Sequence, residues 1–403
     1  MKMIHINEKN ANIFYVIIQF LYFAAFSFPC SFSAAYLLDR GFSDGQIGII
    51  LGIGCLLNVV VQMALVSFIE RTGMRVGNVI VGVHVITLVV AVALLFTSGG
   101  GLVFAILFTI LSVLAQSTVP FVIALYRGYN EQGIRINFSV GRGIGSAAFS
   151  LGSLAGGHII AAFSTDVIPV LYIIPCILLC VFVLLFHAPN VEERPAAGVT
   201  PAEKRILLRE YPQFYAFLWG AIFIITSHSF TQTYLLQILQ RVGGNSADLG
   251  TAVFISAMME LPAMLLYRKM ADRFGNRRLL IFAGFAWILK NFWIMLAPNV
   301  YSIYAAELLQ FAGYAIYVPA GMRYVAHTLP ENEFLKGQAL IGSAYTVGSL
   351  IANIIGGPML EHWGLHTTLW GMQIFSVVGI VLYTYAMWKS LRMFPSAVRG
   401  HTK

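Results

Sequence analysis

Apolar runs recur from one end of this chain to the other, each about the 20 residues an α-helix needs to cross a bilayer. Charged residues are 10% of the 403 and hydrophobic ones 58%, whereas a soluble domain carries roughly 25% charged residues. One buried core does not absorb that much apolar surface. A bundle of helices in lipid does, because each helix satisfies its own backbone polar groups. The runs between charged or turn-rich breaks predict spans over 13–37, 45–69, 77–97, 101–126, 139–163, 168–188, 213–238, 248–267, 278–297, 300–325, 338–360 and 366–388. The expected fold class is an all-α polytopic membrane protein of about twelve transmembrane helices.

A formal net charge of +8 invites a nucleic-acid reading, and the placement of the cations argues against it. With the N-terminus inside, the alternate loops hold Lys2 and Lys9; Arg71 and Arg75; Arg127 and Arg135; Arg194, Lys204, Arg205 and Arg209; Arg268, Lys269, Arg273, Arg277 and Arg278; Arg323 and Lys336; and Lys389, Arg392, Arg399 and Lys403, which is 21 of the 25. The opposite loops hold Arg40 and Arg241, while Arg142 and Lys290 fall inside spans. This positive-inside asymmetry places both termini in the cytoplasm of a bacterial-type inner membrane and favours an even number of passes. Cys30, Cys55, Cys176 and Cys180 all lie in apolar runs, as small hydrophobic packing residues do.

The two halves share a pattern. Glu70-Arg71-Thr72-Gly73-Met74-Arg75 follows the second span and Asp272-Arg273-Phe274-Gly275-Asn276-Arg277 the eighth, with Glu70 and Asp272, Gly73 and Gly275, and Arg75 and Arg277 each 202 apart. Gly152-Ser153 and Gly348-Ser349 match at an offset of 196. The expected organisation is a six-helix bundle over 1–188, a proline-punctuated cytoplasmic linker over 189–212, a second bundle over 213–388 and a cytoplasmic tail over 389–403. Parallel repeats of this kind build one large class of secondary transporter.

These loops resemble the signature loops of the major facilitator superfamily, and the resemblance covers essentially the whole chain. It implies two pseudo-symmetric six-helix bundles and alternating access, with Glu70, Arg71, Gly73, Arg75, Asp272, Arg273, Gly275 and Arg277 as gating loops. Asn137-Phe138-Ser139-Val140-Gly141-Arg142 further resembles a stretch of the lactose permease-like, oligosaccharide:proton symporter branch, where the arginine binds sugar. By that resemblance Lys290 stands at a ninth-helix arginine and Phe149 at a sugar-stacking tryptophan. Glu260 stands about one turn from a glutamate that contacts sugar and couples protons. The chain departs from the branch where Gln310 and Gly313 replace a histidine and a glutamate, where Glu307 replaces a lysine, and where Ala124 lies near a missing acidic partner.

Ionisable groups at bilayer depth cost roughly 2.5–3.5 kcal/mol each on insertion scales, so Arg142, Glu260, Lys290 and Glu307 are expected to avoid lipid. Burial favours the protonated form of a carboxylate and a nearby cation the ionised form, so such a group can load and release a proton. Glu260 and Glu307 are the candidates for proton coupling. Arg142, Phe149, Glu260, Lys290, Gln310, Asn58, His228 and Gln232 are the candidates for substrate binding. No nucleophile elbow or phosphate loop occurs, and His362 and His366 lack the glutamate of the zinc-protease motif and are read as a solvated loop. The expectation is a non-enzymatic, cofactor-free and metal-free transporter, a monomer in the bilayer without nucleic-acid partners. It would import a small polar solute such as a sugar or nucleoside with protons. Aromatic-acid symport and drug:proton antiport are the alternatives.

Overall fold

The computed structural model describes residues 7–97, 99–189, 211–330 and 333–393; the linker expected over 189–212 lies almost wholly outside them, as does the tail expected over 389–403 from 394 onward. The first six passes are built from α1 (Glu8–Ser31), α2 (Ser33–Asp39), α3 (Asp44–Thr72), α4 (Val76–Leu95), α5 (Leu102–Ser117), α6 (Val119–Ala124), α7 (Tyr126–Glu131), α8 (Phe138–Ala162) and α9 (Ile168–Phe186). The second six use α10 (Pro212–Thr233), α11 (Leu235–Arg241), α12 (Ser246–Phe274), α13 (Asn276–Leu296), α14 (Val300–Glu307), α15 (Tyr314–Thr328) and α16 (Phe334–Met393).

Ten helices among the described residues are long and apolar enough to cross a membrane. The remaining two passes are concealed by backbone irregularities. Gly364 (φ 73°, ψ 168°) divides α16 into two, and the tenth pass is broken into α14, a 3-10 turn over Leu308–Phe311, and α15. His362 and His366 therefore sit on helical residues either side of Gly364, with Trp370 Nε1 donating to His366 Nε2 at 3.3 Å, and not in the loop the sequence suggested.

Local sequence sets the helix ends. Ser43 and Gln46 form a reciprocal capping box at the start of α3, and Asn7, Asn137 and Asn299 each accept from a backbone N–H of the first turn of their helices. Such caps satisfy N–H groups that have no partner within the helix. The repeated loops turn at Gly73 (φ 63°) and Gly275 (φ 84°), in backbone regions a side chain strongly disfavours.

The duplication extends to packing. Ser31 on α1 and Ser153 on α8 share a hydroxyl hydrogen bond of 2.8 Å, and Ser229 on α10 and Ser349 on α16 share one of 2.9 Å. Beside each pair a glycine lets the helices touch: a Cβ on Gly152 would meet Ser27 Oγ at 2.3 Å, and one on Gly348 would meet Ile225 Cγ2 at 2.7 Å. Each half has its own buried core. One is built around Tyr15, Tyr22, Phe121 and Phe186, the other around Phe217, Trp287, Tyr317 and Tyr383.

By contact, the chain groups into Met1–Arg194 with Leu235–Met258, and Pro195–Tyr234 with Met259–Lys403. This grouping departs from equal halves over Leu235–Met258. Within the first unit that stretch is held by Gln237 Nε2 donating to Asp44 Oδ1 at 3.1 Å. Gly157 also packs on it so closely that an added Cβ would lie 2.8 Å from Gly250 Cα. The division runs through α12, two residues before Glu260.

Candidate functional site

Four consecutive passes of the second unit contribute to one run of polar side chains. Lys290, on α13, lies with its ammonium 2.6 Å from Glu307 Oε2 at the end of α14, and both side chains are fully buried. Lys290 Nζ also donates to Gln310 Oε1 at 2.8 Å. Gln310 Nε2 in turn donates to Glu260 Oε1 on α12 at 3.1 Å. From α10, Gln232 Nε2 reaches Glu307 Oε1 at 3.5 Å. Glu307 ends α14 and Gln310 lies in the 3-10 turn that follows; three residues apart they share a helical face, and both meet Lys290.

The surroundings of the network are aromatic. His228, one turn before Gln232, packs its ring 4.9 Å from that of Trp287, which also contacts Tyr314 and Tyr317. Trp287 is buried in this core. Asn291 Nδ2 donates to Ser227 Oγ at 3.2 Å on the same two helices. The degree of exposure separates the carboxylates. Glu307 is sealed with Lys290, whereas Glu260 is only half-buried. An apolar groove of about 660 Å³ on α13 and α16, lined by Phe285, Ile380, Val381, Thr384, Tyr385 and Trp388, shares none of these residues.

Glu260, Lys290, Glu307, Gln310 and Gln232 are thus brought into one network, with His228 beside Trp287 at its edge. Arg142, Phe149 and Asn58 belong to the first unit. Arg142 is half-buried, donates to Ser146 Oγ at 2.9 Å and lies 4.7 Å over the Phe23 ring; it makes no ion pair among the described residues. Phe149 packs against Phe26 at 6.1 Å on the first core. Asn58 is half-buried on α3.

The repeated loops differ in their contacts. Asp272 pairs with Arg323 of α15 at 3.6 Å, while Glu70 has no ion pair among the described residues. Asn276 at the start of α13 accepts from the Tyr267 hydroxyl at 2.6 Å and donates to Ala320 O at 3.0 Å. The sequence marked Arg323 only as a loop cation and passed over Tyr267 and Asn276. No spacing rule links these positions, which meet only once α12, α13 and α15 pack.

The sequence profile of the MFS_1 like family matches residues 12–370. The maltose permease of Geobacillus stearothermophilus is 24% identical over 368 residues, covering 90% of this chain and 91% of the permease. Among solved structures, a point mutant of the nucleoside transporter NupG superposes with a TM-score of 0.79 at 14% identity, covering 94% of this chain and 99% of that one. A D-xylose-proton symporter superposes with a TM-score of 0.66, also at 14% identity, covering 94% and 96%.

Proposed function

This chain belongs to the MFS_1 like family, whose members are membrane transporters and not enzymes, and on that premise we propose that it is a proton-coupled symporter importing a small polar solute, a sugar before a nucleoside. The observation that carries this reading is Glu260. It is a half-buried carboxylate in the middle of the eighth pass, hydrogen-bonded through Gln310 to the Lys290–Glu307 pair. A carboxylate held at bilayer depth is a functional group by default, and one on the edge of a polar network can exchange protons as access alternates.

In this reading the protein works as a monomer in a bacterial inner membrane with both termini in the cytoplasm. Gln232 and His228 line the solute's path, and the loops at Glu70–Arg75 and Asp272–Arg277 act as gates. The sugar preference is supported by the length of chain shared with the maltose permease. Arg142, without an ion pair among the described residues, supports an aromatic acid as the second reading, because a guanidinium binds a carboxylate bidentately.

The test is uptake into proteoliposomes under an imposed inward proton gradient, with maltose, a nucleoside and an aromatic acid as probes. Wild type is expected to accumulate one of them above equilibrium, whereas Glu260→Gln exchanges it without accumulation. Normal uphill accumulation by Glu260→Gln would remove Glu260 from the coupling role.

A further inference from the structure

Gln310 has one orientation open to it. An ammonium has hydrogens to give and no lone pair to accept with, so the carboxamide oxygen must face Lys290 Nζ, and it does so at 2.8 Å. The amide N–H at the other end of the same group is then committed to Glu260 Oε1 at 3.1 Å. Neither anchor is loose. Lys290 is fixed against Glu307 in a site closed to solvent, and Gln310 is 5% exposed within the 3-10 turn of the tenth pass. A carboxamide does not ionise between acid and alkaline limits, so Gln310 cannot hand a proton on.

We propose that Gln310 is a positioning residue that senses the ionisation of Glu260, presenting it a donor whose direction is fixed by Lys290. The proposal rests on the reading of Glu260 as the proton-carrying group. An ionised Glu260 accepts a charge-assisted hydrogen bond from that donor, and a protonated Glu260 accepts a bond about half as strong. The amide cannot turn to accept from a newly protonated carboxyl, since that would set its N–H against the Lys290 ammonium. The ionisable groups that the network brings toward Glu260 are Lys290 from α13 and Glu307 from α14, with Gln232 and His228 contributed by α10. Protonation therefore loosens α12 from the tenth pass at Glu260. That point lies two residues before Pro262 and just past Met258 and Met259, where α12 leaves one compact unit for the other.

Infrared difference titration of the carboxyl band of the full chain in liposomes tests this without a solute. Glu260→Gln identifies the band of Glu260 by its loss. In Gln310→Leu the midpoint of that band is expected to rise by about one pH unit, a tenfold change in proton affinity, because the carboxylate has lost the donor that Gln310 supplies. Gln310→Glu keeps the shape and the acceptor for Lys290 but places a second carboxylate against Glu260, and its midpoint is expected to rise further. If Gln310→Leu does not fold, Gln310→Met, which keeps the length of the side chain without its donor, reads the same shift. Unchanged midpoints in both overturn the role of Gln310 while leaving Glu260 as the proton carrier. If no titrating band disappears in Glu260→Gln, both readings fall.

Discussion

Replacing Glu307 by glutamine removes one of two opposite charges that sit 2.6 Å apart with no solvent on either side. Lys290 keeps the Gln310 oxygen as an acceptor but loses its counter-charge, and breaking a buried ion pair from one side costs about 3–5 kcal/mol. In the double substitution Lys290→Met with Glu307→Leu, no charge is left unmatched. What remains is the Gln310 oxygen, a buried acceptor without its donor, at about 1–3 kcal/mol, and the half-buried Gln232 amide, which loses only a long bond of 3.5 Å in either variant that deletes the carboxylate. The single variant should therefore be the less stable by about 2 kcal/mol. For a cooperative unit of roughly 200 residues, that difference corresponds to about 4–8 °C in Tm. Fluorescence-detected thermal unfolding of wild type and both variants, purified in one detergent, reads the order directly. The reasoning is refuted if the double variant melts at or below the single one, because the charges would then be contributing more than each other's compensation.

Two further outcomes follow from the backbone. Gly73 sits in the left-handed helical region (φ 63°, ψ 15°), whereas Gly275 pairs a positive φ of 84° with an extended ψ of 139°. No described atom lies within 4 Å of a Cβ at either, so strain alone acts. Gly73→Ala should cost about 1–2 kcal/mol and Gly275→Ala up to about 3, measured as the larger fall in Tm for the second. At Gly157 an added Cβ would lie 2.5 Å from the Ser246 carbonyl oxygen, whereas Gly143 on the same helix has open space. Gly157→Val should lose about 1–3 kcal/mol or more through overpacking. Gly143→Val should be neutral or slightly stabilising, because valine is the better helix former, a comparison that folded yield and Tm both report.

How much of this was legible beforehand follows the physics. The apolar runs fixed the number of passes because a bilayer imposes their length, and the ends of α3, α8 and α13 fell within a few residues of the spans expected at 45–69, 139–163 and 278–297. The Gly152-Ser153 and Gly348-Ser349 pairs reappear as matched contacts of helix on helix. Glu260, Lys290, Glu307 and Gln310 stood out because polar groups at bilayer depth are expensive. Their partnership did not, since the Lys290–Glu307 contact depends on which faces of α13 and α14 pack together, and spacing along an apolar run does not give that. The difference between sealed Glu307 and half-buried Glu260 likewise depends on how α10, α12, α13 and α14 pack. So does the pairing of Asp272 with Arg323, in which the sequence read the arginine as topology alone.

The account as a whole turns on protons entering together with solute. The direct measurement is the pH of a weakly buffered suspension of de-energised vesicles carrying the wild-type chain, followed as the transported solute is added. Proton symport predicts that the medium turns alkaline as solute enters, and that a protonophore abolishes the change. Solute entry with a flat trace, or with acidification, would contradict it.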